Sequence, residues 1–321
     1  MKPTVLLSLV LSIAAPLAHA QAMVWVSSEK DNAIAVVDAA SLTVQGSVAT
    51  CKRPRHMQLL PGGKQLLVAC GESHAADLID VATRRSLRRV PLGDDPEAFD
   101  ISPDGKTLYV SREDEGELGF VELASGKMLR SVPVGKEPEG VKASPDGKTV
   151  YVTSEVANLV HAVDVAGAKV VHNIKVGKRP RRIALTPDGA ELWVTNELDA
   201  SVSVVSLKDH KVVQTIRFEL PGARAADITP VGIAMTKDGK RAFVGLGRAN
   251  HVAFVDVAQR KVTHFVLAGK RAWNVALDRA EARLYVVNGL SDDMTVIDVA
   301  AARPLKTVAV GRVPYQALVV E

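Results

Sequence analysis

Seven short apolar runs in this chain each open on an aromatic residue or leucine, and the interval between openings is nearly constant. The openings are Trp25, Leu67, Tyr109, Tyr151, Trp193, Phe243 and Tyr285, at steps of 42, 42, 42, 42, 50 and 42 residues. A second marker, the small polar or acidic residue ending the following run, falls at Asp38, Asp80, Glu122, Asp164, Ser206, Asp256 and Asp298 with the same steps. Two independent markers in one register exclude chance similarity as the simplest explanation. Within one unit, residues 179–216, four runs rich in β-branched and aromatic residues are separated by Gly, Pro, Asp or Asn, which is the pattern of antiparallel strands joined by tight turns. A period near 42 with four strands per unit predicts four-stranded sheets set radially about an axis.

The expected fold is therefore all-β, a seven-bladed β-propeller with four antiparallel strands per blade. The first unit, residues 23–50, lacks a first strand, and the segment RVPYQALVV at 312–320 supplies a lone one. Pairing the C-terminal strand with the N-terminal strands completes a blade and removes two sheet edges that would otherwise invite association. First strands are expected to begin at Pro54, Pro96, Pro138, Pro180, Pro230, Ala272 and Pro314. A 47% hydrophobic composition without a long apolar run suits sheets whose faces are covered by neighbouring blades. Residues 1–20 read as a signal peptide: Lys2, an apolar stretch from Val5 to Ala15, and Ala18-His19-Ala20 as the cleavage site. The apolar stretch is too short to span a bilayer. Residues 21–321 then form a single domain, expected in the periplasm as a soluble monomer with no membrane span.

The segments LYVSRE (108–113), VYVTSE (150–155) and LWVTNE (192–197), each after a Pro-Asp-Gly turn, resemble the YVTN repeat of bacterial seven-bladed propellers. Within that family the chain is most similar to the exported propeller associated with catabolism dependent on pyrroloquinoline quinone (PQQ). The resemblance implies a non-catalytic periplasmic binding or scaffold protein that serves quinoprotein-dependent alcohol oxidation. It implies no required cofactor, and PQQ enters only as a possible ligand. It assigns no catalytic residue.

Repeat residues have structural jobs, so function is sought where the repeats differ. Gly105, Gly147, Gly189 and Gly239 follow Asp at hairpin corners that need positive φ. Residues just after the opening prolines should ring the mouth of the central channel. The first such position holds Arg55, Glu97, Glu139, Arg181, Val231, Trp273 and Tyr315, and the second holds His56, Ala98, Gly140, Arg182, Gly232, Asn274 and Gln316. Aromatic faces beside guanidinium groups suit a planar or anionic ligand. The competing reading is that Arg55, Arg181 and Arg182 pair with Glu97 and Glu139 while the aromatics plug the channel. The eight extra residues of the 50-residue step lie in FELPGARAADIT, and Arg224 and Asp227 are its contact candidates.

Cys51 and Cys70, the only cysteines, are expected to form a disulfide on the mouth side. The alternative is a metal set of Cys51, His56, Cys70 and His74. Lys and Arg number 40 against 36 Asp and Glu, and removing Lys2 with the leader lowers the net charge from +4 to +3. Lys52-Arg53, Lys178-Arg179 and Lys270-Arg271 all fall in mouth-side links, so a locally positive mouth is expected. A periplasmic protein partner and a small anionic or aromatic ligand both fit. Nucleic-acid binding remains an alternative that export argues against. A lactonase-like or metal-dependent enzyme would need a cluster built from Glu97, Glu139 and His56.

Overall fold

A computed structural model describes residues 22–321 as seven four-stranded antiparallel sheets. The expected leader and its cleavage after Ala20 lie outside the described residues. The N-terminal strands are β1 (Met23–Ser28), β2 (Ala33–Asp38) and β3 (Val44–Ala49). Complete blades follow as β4–β7 (54–91), β8–β11 (96–133), β12–β15 (138–175), β16–β19 (180–217), β20–β23 (233–267) and β24–β27 (272–309), and β28 (Pro314–Val320) ends the chain. The closing sheet has the order β28-β1-β2-β3, with Trp25 opposite Leu318 and Val24 opposite Val319. We number this closing sheet blade 1, and the others follow in chain order. Among the described residues no helix is long and apolar enough to cross a membrane.

Each sheet is too thin to bury its own faces, so the core lies between blades. Trp25, Ile34 and Val48 of blade 1 pack with Met57, Leu66, Val68 and Ile79 of blade 2. Trp193 and Val204 of blade 5 pack with Ala242, Val244 and Val255 of blade 6. The large residue of each second strand, third in the strand at Trp25, Tyr109 and Trp193, is thus the plug of an inter-blade layer, which is why it marks the period. Trp25 and Trp193 are both fully buried. The Pro-Asp-Gly corners hold the expected left-handed glycines, with φ of 73° at Gly105 and 70° at Gly147.

One expected strand start is wrong. The first strand of blade 6 is β20 (Ile233–Met235), not a strand from Pro230. The insertion before it re-routes the backbone: the Val231 amide donates to Gly245 O at 3.0 Å, and the Gly232 amide donates to Trp273 O at 2.9 Å. A Cβ on Gly232 would lie 2.5 Å from the Cα of Asn274, so only glycine allows this approach. Within the insertion, Phe218 and Ile228 anchor both ends in the core, and Arg224 donates two bonds to Asp227 at 2.7 and 3.0 Å.

Cys51 and Cys70 are joined in a buried disulfide with a Cα–Cα distance of 5.8 Å. The alternative metal set is therefore not assembled. Both sulfurs are in the bond, His56 packs edge-on against Phe99 at 4.8 Å, and His74 sits at the surface 3.3 Å from Asp94.

Candidate functional site

The repeat places the mouth residues by two devices. Hydroxyls on second strands reach the next blade and hold the carbonyl of its first mouth position: Ser27 donates to Arg55 O, Ser111 to Glu139 O and Thr153 to Arg181 O, each at 2.8 Å. This is the physical role of the small hydroxyl residue in the YVTN-like segments. The residue just before each inner strand adopts a left-handed turn in six blades, with φ of 56° at Arg53, 54° at Arg179 and 61° at Arg271. Asparagines of the preceding blade accept from those three amides: Asn32 from Arg53 at 3.0 Å, Asn158 from Arg179 at 2.9 Å and Asn250 from Arg271 at 2.8 Å. A non-glycine residue in this conformation needs surrounding bonds to hold it.

Just inside the mouth, a buried ionic lattice closes the channel. Arg55 pairs with Glu97, Arg181 with Glu155 and Glu139 (3.3 Å to the latter), and Arg182 with Glu139 at 3.0 Å. Arg182 also donates to the Tyr315 hydroxyl, which lies 3.4 Å from Glu97. Burial raises the pKa of Glu139, but Arg181, Arg182 and Arg55 outweigh it and hold the carboxyl below its ordinary value. Burial, with Arg181 and Arg55 as like charges, brings Arg182 down to about 10, so it stays protonated at neutral pH. Burial and the Glu139 and Glu197 carboxylates push Glu155 up to about 7, against the opposing pull of Arg181 and Arg179.

Above the lattice lies an open bowl of about 400 Å³ whose wall alternates arginine and glutamate. The pairing follows the repeat. At one repeat position in the loop between second and third strands stand Glu29, Gly71, Glu113, Glu155, Glu197, Gly247 and Gly289 in successive blades. Arg53 meets Glu29 at 3.3 Å and Asp95 at 3.1 Å, and Arg179 meets Glu155 at 2.7 Å and Glu197 at 3.1 Å. Arg271 stands at the same place in blade 7, but the two loop positions that would serve it are Gly247 and Gly289. Among the described residues it has no carboxylate within salt-bridge distance. Its guanidinium instead stacks on Trp273, 3.9 Å from the ring centroid, while Arg181 covers the same ring at 5.3 Å. Burial lowers the Arg271 pKa, against the pull of the more distant Glu197 and Glu29 carboxylates and with the charges of Arg181 and Arg248. Arg248, exposed on the same wall, is likewise unpaired among the described residues.

Of the sequence-predicted residues, Arg55, Glu97, Glu139, Arg181 and Trp273 line the bowl. Arg182, Tyr315, Asn274, Gln316 and His56 are not in its wall. Arg182 and Tyr315 belong to the lattice, Asn274 donates to Tyr315 O at 2.8 Å, and Gln316 bridges the Met57 backbone at 2.7 and 3.2 Å. Burial and the nearby Arg182 charge hold His56 at about 3, so it is neutral. Of the residues named for an enzyme, Glu97 pairs with Arg55 and Glu139 with Arg181 and Arg182. Arg224 and Asp227 neutralise each other. The mouth is not uniformly positive, because glutamates interleave its arginines. Sequence reasoning missed Glu29, Glu113, Glu155, Glu197 and Arg248, although four of these are glutamates at one place in the repeat. Asp95, Glu97 and Glu113 bring carboxylate oxygens within 4.8 Å of one another, but Arg53 and Arg55 neutralise the first two.

No curated protein matches the chain in sequence. Among solved structures it is similar to hydrazine synthase of Kuenenia stuttgartiensis, with TM-score 0.77 and 24% identity over 86% of this chain and 92% of that one. It is also similar to a protein of unknown function from Desulfotomaculum acetoxidans, with TM-score 0.79 and 15% identity over 93% and 99%. A third is a 6-phosphogluconolactonase-like protein from Bacteroides uniformis, with TM-score 0.78 and 15% identity over 94% and 100%. At these identities the likeness speaks for the fold. In sequence, the choice-of-anchor I domain model matches residues 111–288. That span exceeds half of the chain and contains the repeat units that build the Arg271 side of the mouth, and the protein belongs to the choice-of-anchor I domain family.

Proposed function

We propose that this propeller is a non-catalytic binding protein whose mouth holds a small planar anion, with PQQ and related aromatic carboxylates as the ligand class. Its setting in this reading is the periplasm, as an accessory to quinoprotein-dependent alcohol oxidation. The supporting observation is Arg271, a half-buried guanidinium stacked on Trp273 that lacks a carboxylate because Gly247 and Gly289 stand where other blades carry glutamate. A guanidinium in that position offers a flat face and a fork of donors to a carboxylate. Arg248 supplies a second unpaired charge on the same wall. Because Trp273 is covered by Arg271 and Arg181, the ligand plane would lie on Arg271 rather than on the indole. The bowl is within the usual volume range for small-ligand sites. The paired carboxylates and the neutral His56 favour binding over acid–base chemistry.

A thermal-shift titration with PQQ and benzene polycarboxylates at two salt concentrations tests this reading. At a ligand concentration of about 100 Kd the stabilisation is about 2.7 kcal/mol. For a chain of roughly 300 residues that corresponds to a rise of about 4 °C. The rise should vanish in Arg271→Ala. Equal shifts in wild type and Arg271→Ala would remove the site from the mouth.

A further inference from the structure

The next repeat position in the loop between second and third strands marks a tip of each blade on the mouth face. In chain order the tips are Lys30, Glu72, Asp114, Val156, Leu198, Arg248 and Leu290. Those of blades 4, 5 and 7 are apolar yet exposed, at 57% for Val156, 60% for Leu198 and 63% for Leu290. In blade 6 an apolar group comes from the neighbouring strand end instead: Leu267 is 59% exposed, next to Ala268, whose amide donates to Asn250 O in that blade's loop. The apolar tips are interleaved with cations. The Leu198 amide donates to Lys178 O at 3.1 Å and the Leu290 amide to Lys270 O at 3.0 Å. Val156 and Leu198 flank one groove with Lys178. Lys178, Arg248 and Lys270 are exposed and, among the described residues, none is in a salt bridge. Contiguous exposed apolar groups, as at the groove of Val156 and Leu198, mark interaction surfaces, whereas singly scattered ones do not.

We propose that this arc over blades 4 to 7 is a docking surface for a segment of another protein that carries both leucine-like side chains and carboxylates. Charge complementarity sets the occupant. The opposite side of the same face carries exposed carboxylates, Glu72, Asp94 and Asp114, interspersed with Lys30 and Lys52. A flat anionic membrane or a nucleic acid lying across the mouth would meet those carboxylates. A second copy turned face to face would set acidic tips over the leucines and leave the apolar groups unmatched. An acidic amphipathic polypeptide confined to the arc matches both halves of the pattern. The rim meets the bowl at Arg248, but Val156, Leu198, Leu290, Lys178 and Lys270 do not line the bowl, so the apolar part of this surface does not depend on the small-anion reading.

Fluorescence anisotropy with three labelled synthetic peptides tests it: one mixing leucine and glutamate, one mixing leucine and lysine, and one of glutamate alone. The leucine–glutamate peptide should bind saturably and more weakly at high salt. Binding should fall roughly tenfold or more in Leu198→Ser/Leu290→Ser, as expected for loss of central apolar anchors. It should fall again in Lys178→Glu/Lys270→Glu. Both variants should melt like wild type and keep any PQQ response, because none of these side chains lines the bowl. No saturable binding of the leucine–glutamate peptide overturns the proposal. So do equal binding by the serine variant, equal binding of the lysine peptide, co-sedimentation with phosphatidylglycerol vesicles that needs Leu198 and Leu290, or a dimer in sedimentation that the serine change abolishes.

Discussion

Replacing Glu139 by glutamine removes one negative charge from the channel lattice and almost no volume. Glu139 is 2% exposed and lies 3.3 Å from Arg181 and 3.0 Å from Arg182. Its loss leaves two buried guanidiniums sharing fewer carboxylates. Deleting one partner of a buried pair costs about 3–5 kcal/mol, because the other charge stays desolvated. Unfolding entropy near 2.1 cal/mol/K per residue gives roughly 0.6 kcal/mol/K for a chain of about 300 residues. The melting temperature should therefore drop by about 5–8 °C in differential scanning calorimetry. Removing Arg182 as well, in Glu139→Gln/Arg182→Met, should recover part of the loss, with a coupling energy of about 1 kcal/mol or more. A drop below about 2 °C, or strict additivity in the double variant, would show that the lattice is not the closed ionic unit described above.

Three further outcomes are expected. Gly289→Glu restores a glutamate beside Arg271; the site has room, since a Cβ would make only ordinary contacts, with Arg271 Cδ at 3.7 Å, Pro314 O at 3.8 Å and Arg271 O at 4.0 Å, and Gly289 is not among the positive-φ glycines. The variant should melt like wild type and lose anion binding in calorimetric titration, and retained binding would count against Arg271 as the anchor. Glu155 sets the pH dependence. Its folded pKa of about 7 lies above the ordinary carboxylate value, so the folded form holds the extra proton. Its contribution to stability is full below about pH 4.5 and is lost as pH rises toward 7. Anion affinity should likewise strengthen on acidification from about pH 8 to 6, by an amount on the order of 1 kcal/mol for one charge near the ligand. Glu155→Gln should flatten both profiles, and unchanged profiles in that variant would assign the titration elsewhere. Reducing the Cys51–Cys70 bond, which closes a loop with sequence separation 19, should cost about 3 kcal/mol, or roughly 5 °C in melting temperature. A change under about 1 °C would show that the loop is ordered without it.

The blades were legible in the sequence because each must solve the same packing problem with the same residue at the same place. Trp193 and Tyr285 fill equivalent inter-blade layers, so the period is written in the large plugs. Ring closure was legible because residues 23–50 and 312–320 are complementary fragments. The start of blade 6 was not, because Pro230 sits where other blades open a strand, and only the close approach of Gly232 to Asn274 shows the detour. The site was half legible. Positions that ring the mouth follow from strand direction, but whether an arginine is paired depends on loops of two blades. Arg271 looks like Arg179 until Gly247 and Gly289 are set against Glu155 and Glu197. The tryptophan was found, while its cover of two guanidiniums depends on side-chain geometry that no spacing encodes.

Fluorescence of Trp273 is the most direct test of an anion site at the mouth, since Trp25 and Trp193 are sealed between blades and should report little. Titration of the purified protein with PQQ should quench emission saturably in wild type. Quenching should be lost in Arg271→Ala and weaken with salt, while Trp273→Phe should silence the signal but still bind in calorimetry. Saturable quenching that survives Arg271→Ala unchanged, or none in wild type together with no calorimetric heat, would contradict a ligand site built on Arg271 and Trp273.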